Sequence, residues 1–222
     1  MWSNEVITML VKGVGETLYM SVVSTLFGYL FGIPYGVILT VTGKGGLAPN
    51  RFVYKVLDII ANIVRSIPFL IGLVLLIPFT RLIAGKSYGS TATIVPLVFA
   101  AVPMIARMVE SSLNEVDAGV IEAARSMGAG NWTIVTRVLL VEGRISLISG
   151  ATIAFGTIFG YSSMAGIVGG GGLGDIAIRY GYYRYQADIM IVSVVLLVIL
   201  VQIFQTLSTV LARKLDRRSA HS

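Results

Sequence analysis

Residues that could do chemistry are few in this chain of 222 residues. Cysteine is absent, which excludes disulfides, thiol nucleophiles and cysteine metal sites. The one histidine, His221, stands one residue from the end and offers nothing to a histidine-based active site. Ser162 and Ser163, in the run GYSS, are candidate hydroxyl nucleophiles, but no histidine or matched base is there to activate them. Gly85-Lys86-Ser87 has the ending of a phosphate-binding loop, yet Thr80 occupies the position where that loop needs its first glycine. The run Gly169 to Gly172 follows no alternating strand and helix, so it is not a dinucleotide fingerprint and reads as a flexible connection. What remains is charge in apolar surroundings. Asp58, Asn62 and Arg65 interrupt one apolar run, and the polar stretch EAARSMGAGNWTIVTRVLLV, from Glu122 to Val141, separates two others.

The elements that carry these groups follow from composition. Hydrophobic residues make up 55% and charged residues 13%, with a mean hydropathy of +0.85. A soluble domain carries about 25% charge, so the chain lacks the polar surface to stay in water and reads as an all-α integral membrane protein. A spanning helix needs about 20 mostly apolar residues. Five stretches answer, at roughly 17–41, 56–79, 91–109, 145–165 and 189–212. The division that results is an interfacial segment 1–16, a transmembrane region 17–212 with a polar loop at about 115–144, and a basic tail 213–222. Segment 1–16 has no basic start and includes Glu5 and Lys12; it reads as a short amphipathic surface helix with Trp2 as anchor, not a cleavable signal.

Within the spans, Gly28, Gly32 and Gly36 recur every fourth residue and share one face, where they let another helix approach closely. Pro68, in the phrase RSIPF, should kink the second span. A charge at the bilayer centre costs about 2.5–3.5 kcal/mol on insertion scales, so Asp58 and Arg65 must face the protein or snorkel. Two readings of Arg65 stand side by side. It is a charged group at a pathway or gate, or a structural partner for Asp58 or for carbonyls freed by the proline.

Lysine and arginine counts orient the chain. The loop after the first span, the stretch after the third and the tail hold eleven positive residues, against five in the other connections, with Arg65 counted apart. The N-terminus is then outside, and the C-terminus and the Glu122 stretch are cytoplasmic. The net charge of +6 marks topology and not nucleic acid.

The polar stretch reads as two short helices. Asp117 is placed to cap a helix starting at Ala118, and Gly128 to end it in left-handed geometry. Val120, Ile121, Ala124 and Met127 recur at helical spacing as its apolar face, with Glu122, Arg125 and Ser126 opposite. Asn131 is placed to cap the second helix, whose apolar side is Trp132, Val135, Val138 and Leu139. Such an element cannot bury itself alone; it needs a membrane surface or a partner's groove.

Glu122-Ala123-Ala124, three residues, Gly128, nine residues, then Val138-x-Leu140 resembles the EAA loop of ABC-importer permeases. Where that family has isoleucine and proline, this chain has Val138 and Val141, which leaves the entry into the next helix less sharply defined. NIVRSIPF, IPFTRLI, IVPL, IARMVE and GYSSMAGIVGGGGLGDIAIRYGY are similar to the methionine-importer permease subunits in particular, from about Gly13 to the fifth span.

The resemblance implies a type I ABC-importer permease fold in the bacterial inner membrane. It implies a homodimer around one translocation path, and two cytoplasmic ATPase subunits that hold the ATP and Mg this chain does not bind. A binding protein outside, often lipid-anchored, would deliver an amino acid, methionine above all. Residues Glu122, Ala123, Ala124, Arg125, Ser126, Met127 and Gly128 would form the ATPase-coupling surface, unless Glu122 merely pairs with Arg125. Tyr161, Ser162 and Met164, with Arg65, are the candidates to line or gate the path; Met164 as packing filler is the other reading. An importer of another amino acid or small solute is the alternative. A secondary transporter fits less well, since Asp58 is the only intramembrane acid and no internal repeat is visible.

Overall fold

The computed structural model describes residues 3–215. Trp2, and Arg217, Arg218 and His221 of the basic tail, lie outside the described residues.

Every element among the described residues is helical. In lipid a backbone must satisfy its own polar groups, and a helix does so within one segment. The first, α1 (Asn4–Thr42), runs 39 residues without a break at 16 and 17. The separate surface helix expected over 1–16 is therefore the opening of one long helix. The second span also differs from the expected single kinked helix. It is divided into α2 (Arg51–Ser66) and α3 (Phe69–Leu75), bent by 102°. Pro68 has no amide proton to donate and pushes Ile67 before it into extended geometry (φ −79°, ψ 122°), so the helix breaks instead of kinking. After α4 (Ile77–Ala84) the chain turns at left-handed Gly85 and enters α5 (Ser90–Asn114), the most enclosed long helix. A short helix, α6 (Ala118–Ser126), follows. Next comes a helical run of α7 (Asn131–Thr133), a π segment Ile134–Leu139 and α8 (Leu140–Glu142). The last spans are α9 (Arg144–Met164) and α11 (Ala187–Leu215), separated by a 3-10 turn (Ala165–Val168), α10 (Gly172–Ile176) and a second π segment (Ala177–Tyr182). Four helical stretches are long and apolar enough to cross a membrane, and five if the bent pair α2–α3 is one span.

The α1–α5 pair is the centre of the molecule, and the glycine stripe explains why. A Cβ on Gly28 or Gly32 would stand 2.8 or 2.7 Å from Ile105, and one on Gly36 would meet the Ala106 carbonyl and Val109 at 2.6 Å. Without those side chains the two backbones come together, the close approach expected from the spacing. Outer faces of α1, α2 and α11 leave Leu26, Leu30, Phe31, Ile63, Val198 and Ile203 exposed, a surface that belongs in lipid.

The glycine-dense segment is packed, not flexible. The Gly172 amide donates to Glu16 Oε2 at 2.8 Å and the Leu173 amide to Thr17 Oγ1 at 2.9 Å, both on α1. The Gly89 amide donates to the Gly169 carbonyl at 2.9 Å. Gly170, Gly172 and Gly174 are buried, so the glycines here permit close contact as well as turning. The loops around Gly89 and Gly169 thus share one end of the molecule. At the other end, loop residues 43–49 share a cleft of about 890 Å³ with Asn114, Ala118, Ile121 and Arg125.

A candidate docking hairpin and the groups along the spans

Helix α6 starts as its sequence requires. Asp117 accepts the Gly119 amide at 2.8 Å, and its extended backbone (φ −58°, ψ 129°) places it as the cap. Gly128 ends the helix at φ +82°, and the Ala129 amide returns to the Ala124 carbonyl at 3.0 Å. The second helix is capped differently from expectation. Gly130 holds the cap position with extended backbone, and Asn131 is the first helical residue.

The faces of the hairpin differ too. Ile121 and Ala124 point inward, and Ala124, Ile134, Val135 and Leu139 join one apolar core with Ile105, Val109 and Leu113 of α5. Met127 does not belong to that face: it is 82% exposed, and Trp132 is 78% exposed. Both were expected on the apolar sides of their helices together with Ala124 and Val135; helical spacing groups residues onto a face but leaves open which of them meet the rest of the chain. The hairpin is thus fixed to α5 by its inner side and offers Glu122, Ala123, Arg125, Ser126, Met127 and Trp132 outward. Among the described residues Glu122 forms no ion pair, and Arg125 donates instead to the Leu47 carbonyl at 3.3 Å. At Val141 the helix simply continues through Glu142, and the interruption before α9 falls at Gly143. A Cβ at Gly143 would lie 2.9 Å from the Leu139 carbonyl and 3.3 Å from Leu113.

Tyr161, Ser162 and Met164 do not share one face of α9. At about 100° per residue Tyr161 and Met164 lie near each other and Ser162 lies well apart. Ser162 is fully buried, donates to the Phe159 carbonyl at 2.7 Å and meets Ser21 of α1 at 3.3 Å, a helix-to-helix contact. Tyr161 stacks on Phe69 of α3, ring centroids 4.3 Å apart and planes within 2°. Met164 is 47% exposed. Phe69 escaped the sequence reading because its partner lies in another span, although its place after Pro68 marks it as the first residue past a break.

Arg65, in the last turn of α2, is exposed and has no hydrogen-bond or ion-pair partner among the described residues. It is not the partner of Asp58. That partner is Arg107 of α5, whose Nη2 donates to Asp58 and to Asn62 Oδ1 (3.2 Å) while Nη1 meets Glu110 Oε2 at 2.6 Å. Tyr54 donates to the other Glu110 oxygen at 3.1 Å. Arg107 and Glu110 stand near the end of the third apolar stretch, and nothing in their local spacing connects them with α2.

The architecture defines a class: a multi-span helical membrane protein with a surface hairpin rooted in its central helix. Gly85-Lys86-Ser87, at the end of α4 and before a loop into α5, follows no strand.

The sequence pattern of the binding-protein-dependent transport system inner membrane components matches residues 32–221, and the chain belongs to that family. It is a permease of the bacterial inner membrane and a non-catalytic subunit of an ABC importer. It is 48% identical over 210 residues to the probable D-methionine transport system permease protein MetI of Vibrio cholerae, covering 95% of this chain and 93% of that one. To the D-methionine transport system permease protein MetI of Escherichia coli it is 50% identical over 164 residues, covering 74% and 76%. A solved inward-facing structure of the MetNI methionine ABC transporter superposes with a TM-score of 0.95 at 49% identity, covering 97% of this chain and all of that one. An amino acid ABC transporter crystallised with histidines shares the fold, with a TM-score of 0.79 at 17% identity.

Proposed function

We propose that this chain is the membrane-spanning half of a methionine importer. Two copies enclose one path for L- or D-methionine, a binding protein delivers the amino acid on the outer side, and two cytoplasmic ATPase subunits supply ATP and Mg. The N-terminus of α1 is outside and the docking hairpin is in the cytoplasm, in accord with the lysine and arginine counts. The observation that carries this reading is the hairpin itself. Its inner side is continuous with the core of α5, while Met127 and Trp132 stand out bare beside Glu122 and Arg125. That arrangement suits a surface on which another protein pushes.

Glu122 then supplies polar contact at the rim of the ATPase groove. Ala123 and Ser126 allow close approach, Ala124 roots the helix, Met127 fills an apolar pocket, and Gly128 makes the turn. Closure of the ATPase pair drives the two hairpins together and rocks the spans between inward- and outward-facing states. Along the path Tyr161 and Met164 are the candidates for contact with the cargo, a polarizable thioether suiting another thioether, and Arg65 is a free charge beside the break in the second span.

The test is co-expression with the ATPase subunit and binding protein, followed by uptake of labelled methionine into vesicles. Uptake dependent on ATP and competed by unlabelled methionine supports the proposal. Failure of methionine to compete overturns the cargo, and failure of the ATPase to co-purify overturns the docking role.

A further inference from the structure

We propose that Arg107 is a positioning residue of the transport cycle: through Asp58 it ties α2 to α5, so that movement of the docking hairpin reaches the break between α2 and α3. This rests on the coupling role proposed above. Three observations carry it.

First, the groups are charged and sit within apolar spans. Arg107 spends one guanidinium nitrogen on Glu110 of its own helix and the other on Asp58 of α2. Asn62 and Tyr54, both on α2, complete the cluster. Arg107 and Asp58 are partly buried; ion groups drawn out of water are seldom worth more in stability than apolar residues of the same size, and their best-attested use is to hold a register. Second, α2 has little else to hold it. Ala61 is its only buried residue, and Ile59, Ile60 and Ile63 are exposed, so apolar packing within the chain does little to dictate where α2 stands. Tyr35 of α1 adds one bond, to the Leu57 carbonyl at 2.6 Å, next to Asp58. Third, the two ends of the linkage lead somewhere. On one side, Val109 and Leu113 of α5 share a core with Ala124, Ile134 and Leu139 of the hairpin, so α5 and hairpin move together. On the other, α2 ends at Ser66, Ile67 and Pro68 follow, and the next residue, Phe69, stacks on Tyr161 of α9. The ion cluster is thus the polar joint between a packed driving unit and a loosely packed helix that adjoins the candidate path.

The experiment uses the assembled complex in vesicles and reads ATP hydrolysis and methionine uptake from the same preparation, for the parent and for Asp58→Asn, Arg107→Gln, Arg107→Lys and the double variant. Hydrolysis is expected within about twofold of the parent, while uptake per ATP falls at least about fivefold in either neutral variant. The double variant should be no worse than Arg107→Gln alone, because Asp58→Asn removes a contact that Arg107→Gln has already broken. Arg107→Lys should recover part of the loss, retaining charge but not the fork that reaches both carboxylates. Tyr54→Phe, which removes one hydroxyl, should lower the ratio to a lesser extent, and it decides the question if a neutral variant fails to assemble. Uptake and hydrolysis falling in proportion, additive losses in the double variant, or an unchanged ratio in Tyr54→Phe where the others do not assemble would each overturn the proposal. A parent complex without methionine uptake would instead count against the proposed function.

Discussion

Glu16 of α1 accepts the Gly172 amide at 2.8 Å, and this bond joins the start of the chain to the glycine-dense segment near its far end. The adjacent Thr17 hydroxyl takes the Leu173 amide in the same way. The first turns of α1 therefore do more than float at an interface: they hold α10 in place. A hydrogen bond to a charged group is worth about 1.5–3 kcal/mol. Glu16→Gln should cost about 1 kcal/mol of that local stability, and Thr17→Val more, since it leaves a buried amide without an acceptor. Hydrogen exchange at Gly172 and Leu173 reads the effect directly; protection equal to that of the parent would show that the contact contributes nothing.

Gly128 tests the turn of the hairpin. A Cβ there meets nothing within 4 Å, so space is not the constraint; its φ of +82° is. Gly128→Val should cost about 1–3 kcal/mol in strain, whereas Gly128→Asn, a residue that tolerates the left-handed region, should cost much less. Co-purification of the ATPase subunit is expected to drop for valine and persist for asparagine. Equal recovery for both would remove the turn from the docking role.

Met127 and Trp132 separate docking from folding. Both are largely exposed, so Met127→Ala and Trp132→Ala should change stability by no more than about 0.5 kcal/mol. Each should nevertheless reduce the ATPase subunit recovered with the chain. A variant that melts earlier yet binds the ATPase normally would reassign the side chain to internal packing.

The glycine stripe makes the steric prediction. Gly36→Val places a branched side chain against Val109 and the Ala106 carbonyl, and overpacking of this kind costs about 1–3 kcal/mol. Gly15→Ala, on the same helix with nothing within 4 Å of the new carbon, is the control and should be silent or slightly stabilising. Thermal unfolding in detergent distinguishes the two, and matching curves would mean that α1 and α5 are free to part.

Much of this was legible in the residues. Runs of about 20 apolar residues with few charges announce spanning helices, because lipid allows few other conformations. Asp117 and Gly128 announced the ends of α6, since capping and left-handed turns depend on residues close in sequence. The spacing of Gly28, Gly32 and Gly36 announced a close helix contact. Other features were not legible. Met127 and Trp132 belong to apolar patterns whose inward direction depends on where α5 stands. Glycines 169–174 fit a flexible loop and a tight plug equally well by composition.

The sequence by itself determined the membrane class, most of the apolar spans and the two ends of α6, all properties set by neighbours within a few turns of the chain. Tertiary structure alone decided that Asp58 pairs with Arg107 and not with Arg65, that Ser162 faces α1, and that Phe69 meets Tyr161. Those choices depend on how helices are rotated and packed against one another. Arg65 is seven residues from Asp58 along α2, yet Arg107, forty-nine residues away, is the one that reaches it.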